Sequence, residues 1–198
     1  MNPQNMKRRL QRHKVKFDDP LTIQEISRIE AMYDITFPPD LREFYQCGLP
    51  VSEKFPNWRN TSEMNINSLR ERLAWPLDGM LFDVEHNSFL YHAWGERPGD
   101  LEAAFHICRE EFSKVPQLIP VYSHRYISSQ PEESGNPIFS VYQTDIIYYG
   151  EDLENYFKVE FSDKGYSEID YKTIKKSDFG PTSWSDVMKK KASSNINP

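Results

Sequence analysis

Asp83 and Glu85 stand two positions apart, with His86 directly behind them and His92 further on. On a β-strand that spacing turns both carboxylates to one face, roughly 7 Å apart. There a pair can hold a cation or divide acid and base work between its members. The commoner meaning of the pattern is the solvated side of a strand, and no HxxxH or HExxH spacing accompanies it. Ser140 and the Ser123-His124 pair raise nucleophilic catalysis. Neither serine lies in a Gly-x-Ser-x-Gly elbow, and adjacent residues on a strand point apart. Cys108 follows His106 closely, but it falls in the apolar stripe of a predicted helix, where a thiol is buried and protonated rather than reactive. Cys47, just before a helix-ending glycine, reads the same way. Without GxGxxG or a Walker loop, nucleotide chemistry has no foothold. The expectation is a chain that is not an enzyme, with no cofactor and no metal.

Binding is better served. Trp58, Trp94, Tyr142, Tyr148 and Tyr149 carry aromatic bodies with polar tips, and Arg59 stands beside Trp58. Such residues anchor protein interfaces, or fill a core with their polar ends satisfied. In Asp145-Ile146-Ile147-Tyr148-Tyr149-Gly150 the pairs Ile146/Tyr148 and Ile147/Tyr149 face opposite sides of a strand. Helices covering one side would bury one tyrosine and leave the other exposed or under a loop. The expected contact patch is one face of this terminal hairpin, rimmed by Asp145, Glu151 and Asp152. Trp58, Arg59, Asp83, Glu85 and Trp94 are further candidate partner-binding positions.

The frame that must position these residues is 198 residues long, enough for one domain with extensions and a core that needs no disulfide or metal. The two cysteines form no CxxC pair, so a reducing compartment fits. No run approaches the ~20 apolar residues of a membrane span, and the charged N-terminus lacks the apolar core of a secretory signal. A cytoplasmic location is expected. Charge is segregated: residues 1–16 hold six bases and no acid, whereas residues 17–170 hold 12 bases and 28 acids. A body this acidic repels nucleic acid and membrane surfaces and attracts cationic partners.

Residues 1–20 read as a basic flexible arm, 21–161 as the folded domain, and 162–198 as a partly disordered extension. Thr22-Ile23-Gln24-Glu25 has the form of a capping box, with Leu21 and Ile26 as its hydrophobic staple, and opens a helix over about 22–33. Pro38-Pro39 begins a second helix that buries Leu41, Phe44 and Tyr45 and stops at Gly48, a residue able to take positive φ. A short helix near 68–73 runs into Trp75-Pro76, and alternation over 80–94 predicts a β-hairpin turning at His86-Asn87. Asp100 caps a helix whose stripe is Leu101, Ala104, Phe105, Cys108 and Phe112. Strands are predicted over 118–122 and 125–127, with Pro120 placing the first at an edge or bulge. Two more follow Gly135-Asn136-Pro137, with Gln143-Thr144 either a turn or a bend, then a short helix burying Leu153, Tyr156 and Phe157. Thr182 to Met188 reads as a last short helix. This order gives an α+β class, a twisted and mainly antiparallel sheet with helices packed on it.

The capped helix followed by Pro38-Pro39-Asp40-Leu41-Arg42-Glu43-Phe44-Tyr45 resembles the N-terminal signature of the SUKH superfamily, which includes the fungal Knr/Smi-type cell-wall regulators. Phe55 to Arg59, Leu81 to Asn87 and Gly135 to Gly150 resemble blocks of a bacterial branch, so the likeness covers roughly residues 21–157. The resemblance implies a SUKH-like single domain without catalysis. It further implies a bacterial immunity protein that neutralises a cognate, nuclease-type toxin by direct binding. The partner would then be a cationic toxin domain, with no nucleic acid and no membrane, and the oligomeric state is open. The alternative is an intracellular scaffold protein in the manner of the fungal members, with the basic arm as a tether.

Overall fold

The computed structural model describes residues 2–174. In chain order its elements are α1 (Pro3–Arg12), β1 (Phe17–Asp18), α2 (Ile23–Tyr33), α3 (Pro39–Cys47), β2 (Leu49–Pro50), α4 (Glu63–His86), α5 (Leu101–Phe112), β3 (Leu118–Tyr122), β4 (Arg125–Ser128), β5 (Ile138–Tyr142), β6 (Asp145–Gly150) and α6 (Leu153–Glu160). The helix expected over Thr182 to Met188 lies outside the described residues. Among the described residues no helix is long and apolar enough to cross a membrane.

The basic segment is not an arm. Asn2 accepts the Asn5 N–H at 3.1 Å, Pro3 occupies the first turn, and α1 follows. Met6 and Leu10, one turn apart, are fully buried where α1 packs on α3 and α6. Lys7 donates to the Cys47 carbonyl at 3.0 Å and lies over the Phe17 ring. Two apolar side chains at helical spacing thus dock a segment whose other residues are almost all polar.

The capping box of α2 forms as predicted: Thr22 Oγ1 accepts the Glu25 N–H at 3.1 Å, and Glu25 accepts the Thr22 N–H at 2.8 Å. Leu21 and Ile26 are buried beside it. In α3 the predicted face of Leu41, Phe44 and Tyr45 is buried. Gly48 has φ 162°, which is extended backbone rather than left-handed. A Cβ there would sit 2.8 Å from Lys7 Nζ, a contact the flexible lysine side chain can relieve by moving.

The largest departure is residues 80–94. Instead of a hairpin, the chain continues one helix through Pro76 to His86 and ends in a 3-10 turn over His92–Trp94. Leu69, Pro76, Met80 and Val84 form its buried stripe. Proline inside a helix leaves the carbonyl four residues back without its donor. Here that carbonyl belongs to Arg72, and the Tyr126 hydroxyl donates to it at 2.8 Å. The sheet supplies the missing bond, and the helix passes.

Helix α5 starts at Asp100, which accepts the Ala103 N–H at 2.8 Å. Ala104 and Cys108 are its buried stripe, and burial pushes the Cys108 thiol up to about 11. The main sheet is an antiparallel meander, β3-β4-β5-β6. As Pro120 suggests, β3 is an edge, and its register shifts between Pro120 and Tyr122. Alternate residues serve two cores. Ile119, Val121, Ile127 and Ile138 pack with the side chains of α1, α2, α3 and α6. Leu118, Tyr126, Phe139, Val141 and Ile146 pack with those of α4 and α5. Helices therefore cover both sheet faces in an α+β arrangement.

Candidate protein-binding surface

The β5–β6 hairpin is the frame for the surface, and its turn is held from outside. Tyr142 pairs with Asp145, leaving Gln143-Thr144 as a two-residue turn with Gln143 at φ 53°. Gln-Thr is poor chemistry for such a turn. Asp83 provides the reason it forms, accepting the Thr144 N–H at 3.0 Å and the Thr144 hydroxyl at 2.5 Å. Its other oxygen accepts from Asn87 at 2.6 Å. Asp83 is therefore a buried staple between α4 and the turn, not one half of an exposed acid pair. Glu85 sits on the same helix but faces solvent, with His86 stacked on Phe82 at 4.2 Å. Helical geometry sends Asp83 and Glu85 to different sides. Among the described residues no group of three or more His, Cys, Asp or Glu side chains is placed to hold a metal ion.

Around the turn, large aromatic side chains meet solvent. Tyr142 is 60% exposed, Phe82 45% and Trp75 44%. The Trp75 indole N–H donates to the Val141 carbonyl at 3.2 Å, which fixes its ring beside the end of β5. Between α4 and the sheet lies an open groove of about 520 Å³, lined by Ser68, Glu71, Trp75, His124, Tyr126 and Tyr142 among others. On the other side of Tyr142 a second groove, about 410 Å³, includes Asp83, Phe89, Thr144 and Asp145. Glu71, Asp78, Glu85 and Asp145 are exposed on the elements that carry these aromatics. The Arg72 guanidinium at the groove donates to the Lys54 carbonyl at 3.0 Å. Burial, with the charges of Arg125 and Lys54, lowers the His124 imidazole below its ordinary value, so it is a weak cation here.

Ser123 and His124 do touch, Oγ to Nδ1 at 3.2 Å, against the expectation that they point apart. They occupy the β3–β4 turn, with Ser123 at φ 50°, rather than a strand.

The remaining predicted positions have structural partners. Trp58 is 2% exposed, donates to the Tyr45 hydroxyl at 3.0 Å and meets Tyr33 and Phe37 edge-on. It is core. Arg59 clamps α2: it pairs with Glu25 at 2.8 Å and donates to the carbonyls of Asp19 and Pro20. Its hydrogen bond, with that from the Thr22 amide, holds the Glu25 carboxyl down at about 2. Trp94 is half-buried against Phe89 and Tyr91. Asp152 caps α6, accepting the Asn155 N–H at 2.7 Å.

Tyr148 and Tyr149 are both half-buried, so neither is the exposed partner of a buried twin. With both sheet faces covered, Tyr148 stacks toward Phe139 at 5.2 Å and Tyr149 faces the other core. The segment 162–174 then closes over both, burying Ile169 and Ile174 against them and Val159. Glu151 is 6% exposed and accepts from Lys164 and, at 2.8 Å, from the Asp170 N–H. Of the expected patch, only the Asp145 end is open.

Trp75 and Phe82 were missed because Trp75-Pro76 reads as a helix stop and Phe82 as the inner face of a strand. Their signal was the helical spacing that joins Ser68, Trp75, Phe82 and His86 across the proline. Comparison with protein-family models, curated proteins and solved structures gives no match.

Proposed function

We propose that this chain is a SUKH-type, non-catalytic protein-binding domain that neutralises a cationic toxin domain of the nuclease type by direct contact. The observation that supports it is the open surface at the hairpin turn: Trp75, Phe82 and Tyr142 exposed together, with Glu71, Asp78, Glu85 and Asp145 on the same elements. Exposed aromatics anchor an interface and surrounding carboxylates steer a basic partner onto it. Asp83, Thr144 and the Trp75–Val141 bond hold the surface in place before any partner arrives, which lowers the ordering cost of binding.

The test is co-expression with the toxin encoded by the adjacent reading frame, scored by growth. Rescue is expected with the unaltered chain and lost with Tyr142→Ala and Trp75→Ala together. Purified chain and toxin should bind less tightly as salt rises, because charge carries part of the encounter. A complex indifferent to salt, or rescue that survives the double substitution, sinks this reading. The alternative, a scaffold without a toxin, is favoured by one observation: α1 presents Arg8 and Arg12 outward, with no ion pair among the described residues, offering a second surface of opposite charge.

A further inference from the structure

The segment after α6 behaves chemically as a bound ligand. It leaves the helix through hydrogen bonds donated by the Asp163 and Lys164 amides to the Lys158 carbonyl, then runs beside β6, an outer strand of the sheet. Four of its side chains fill three distinct positions. The Lys164 ammonium meets the buried Glu151 carboxylate. The Tyr166 ring lies 5.2 Å from Tyr149, whose ring carries the Arg125 guanidinium at 3.7 Å, and its hydroxyl donates to the Tyr148 carbonyl at 3.4 Å. Ile169 and Ile174 cover Tyr148, Tyr149 and Val159.

The site has the marks of a receptor. Glu151 Oε2 is buried without a hydrogen-bond partner among the described residues, so the carboxylate depends on what the segment brings to its other oxygen, the Lys164 ammonium and the Asp170 N–H. Remove the lysine and that buried charge keeps only the Asp170 amide from the segment, a cost that an incoming cation would relieve. By contrast, residues 162–168 are mostly exposed, and Ile169 and Ile174 are the segment's only fully buried side chains. Few buried side chains put a segment at the low end of local stability.

We propose that residues 162–174 occupy a recognition site on β6 and α6 that a partner protein can fill in their place, with an extended segment carrying lysine or arginine two residues before an aromatic. The cation replaces Lys164 on Glu151 and the ring replaces Tyr166 against Tyr149. The carbonyl of Tyr148 receives the donor that the Tyr166 hydroxyl supplies now. This goes beyond the neutralisation reading and does not depend on it, because the site lies at the opposite end of the hairpin from Tyr142.

The probe is a fluorescein-labelled peptide of residues 162–174, added to the full-length chain without any toxin present. In the unaltered chain the attached segment competes at an effective concentration on the order of millimolar, and the peptide is held off. The full-length Lys164→Ala/Tyr166→Ala variant should bind the peptide about tenfold more tightly than the unaltered chain, the scale of a hydrogen bond to a charged group. Adding Glu151→Gln to that variant, or replacing the peptide's own lysine by alanine, should remove the gain. Equal binding to both chains, binding to neither, or indifference to Glu151→Gln overturns the proposal. If the double variant fails to fold, Lys164→Gln takes its place with amide exchange as readout. The amides of Ile169 and Asp170 should then lose protection while β5 keeps it; unchanged protection at both overturns the proposal equally.

Discussion

At the turn end of the β5–β6 hairpin, Tyr142 and its neighbours meet water; at the far end, Tyr148 and Tyr149 meet later parts of the same chain. Both ends are built from tyrosines and carboxylates. What separates them is connectivity. The turn is two residues long and the chain reverses at once, so nothing is left over to cover Tyr142. Beyond Gly150 the chain forms α6 and then folds back, and both pieces lie on the strand they follow. Exposure of an aromatic is thus set by where the chain goes next, not by local composition. The two ends also differ in how they are fixed: a buried aspartate from a distant helix staples the turn, whereas a lysine from a neighbouring segment closes the other end.

Substitutions can break that comparison. The largest effect is expected at the far end, where a Cβ on Gly150 would stand 2.5 Å from Tyr156 Cβ and 2.7 Å from its Cα. Gly150→Ala should cost about 3 kcal/mol in chemical denaturation, because both strand and helix are fixed there. Gly79→Ala is the matching change at the turn end, with its Cβ 2.8 Å from Gln143 Cα. It should cost about 2 kcal/mol, since a two-residue turn can retreat more easily than a packed helix. Asp83→Ala removes the staple and leaves the Thr144 amide unpaired, for about 1.5 kcal/mol. If Asp83→Ala proves neutral, the turn holds itself and the contrast in fixation fails.

Acid sharpens the comparison further. Burial pushes the Glu151 carboxyl up, yet Lys164 and the amides of Asp170 and Glu151 itself outweigh that and keep it below its ordinary 4.5. A carboxyl depressed in the folded state stabilises above its unfolded value and loses that contribution as the pH falls below it. Protection of the Ile169 and Asp170 amides against exchange, corrected for intrinsic rates, should therefore fall below pH 4.5 while β5 stays protected. The smallest effect belongs to Tyr142→Ala. With most of its ring in water it should change stability by no more than about 0.5 kcal/mol.

Sequence patterning disclosed what local chemistry decides. The capping box at Thr22, the buried face of α3 and the Asp100-capped stripe of α5 all stand where spacing put them. It disclosed less where a distant residue decides. Pro76 ends a helix on local grounds and does not here, because Tyr126 reaches across from the sheet. Gln143-Thr144 is a weak turn that Asp83 makes a firm one. The arm became α1 because Met6 and Leu10 found α3 and α6; its local signals, Asn2 and Pro3 at a helix start, were legible but outweighed by charge. Among the candidate site residues the aromatic and acidic types were identified. Which of them face water depended on helices covering both sheet faces and on the segment after α6.

One phenol ties this together in a further way. Tyr126 is rooted in the interior of the sheet, and its hydroxyl bridges to α4 one turn before the proline, beside Trp75. The groove wall that carries Trp75 is consequently riveted to the hydrophobic interior. Loosening that wall means breaking a bond to the buried sheet, whereas the segment clipped to Glu151 can let go while its few buried side chains are all that the rest of the molecule loses.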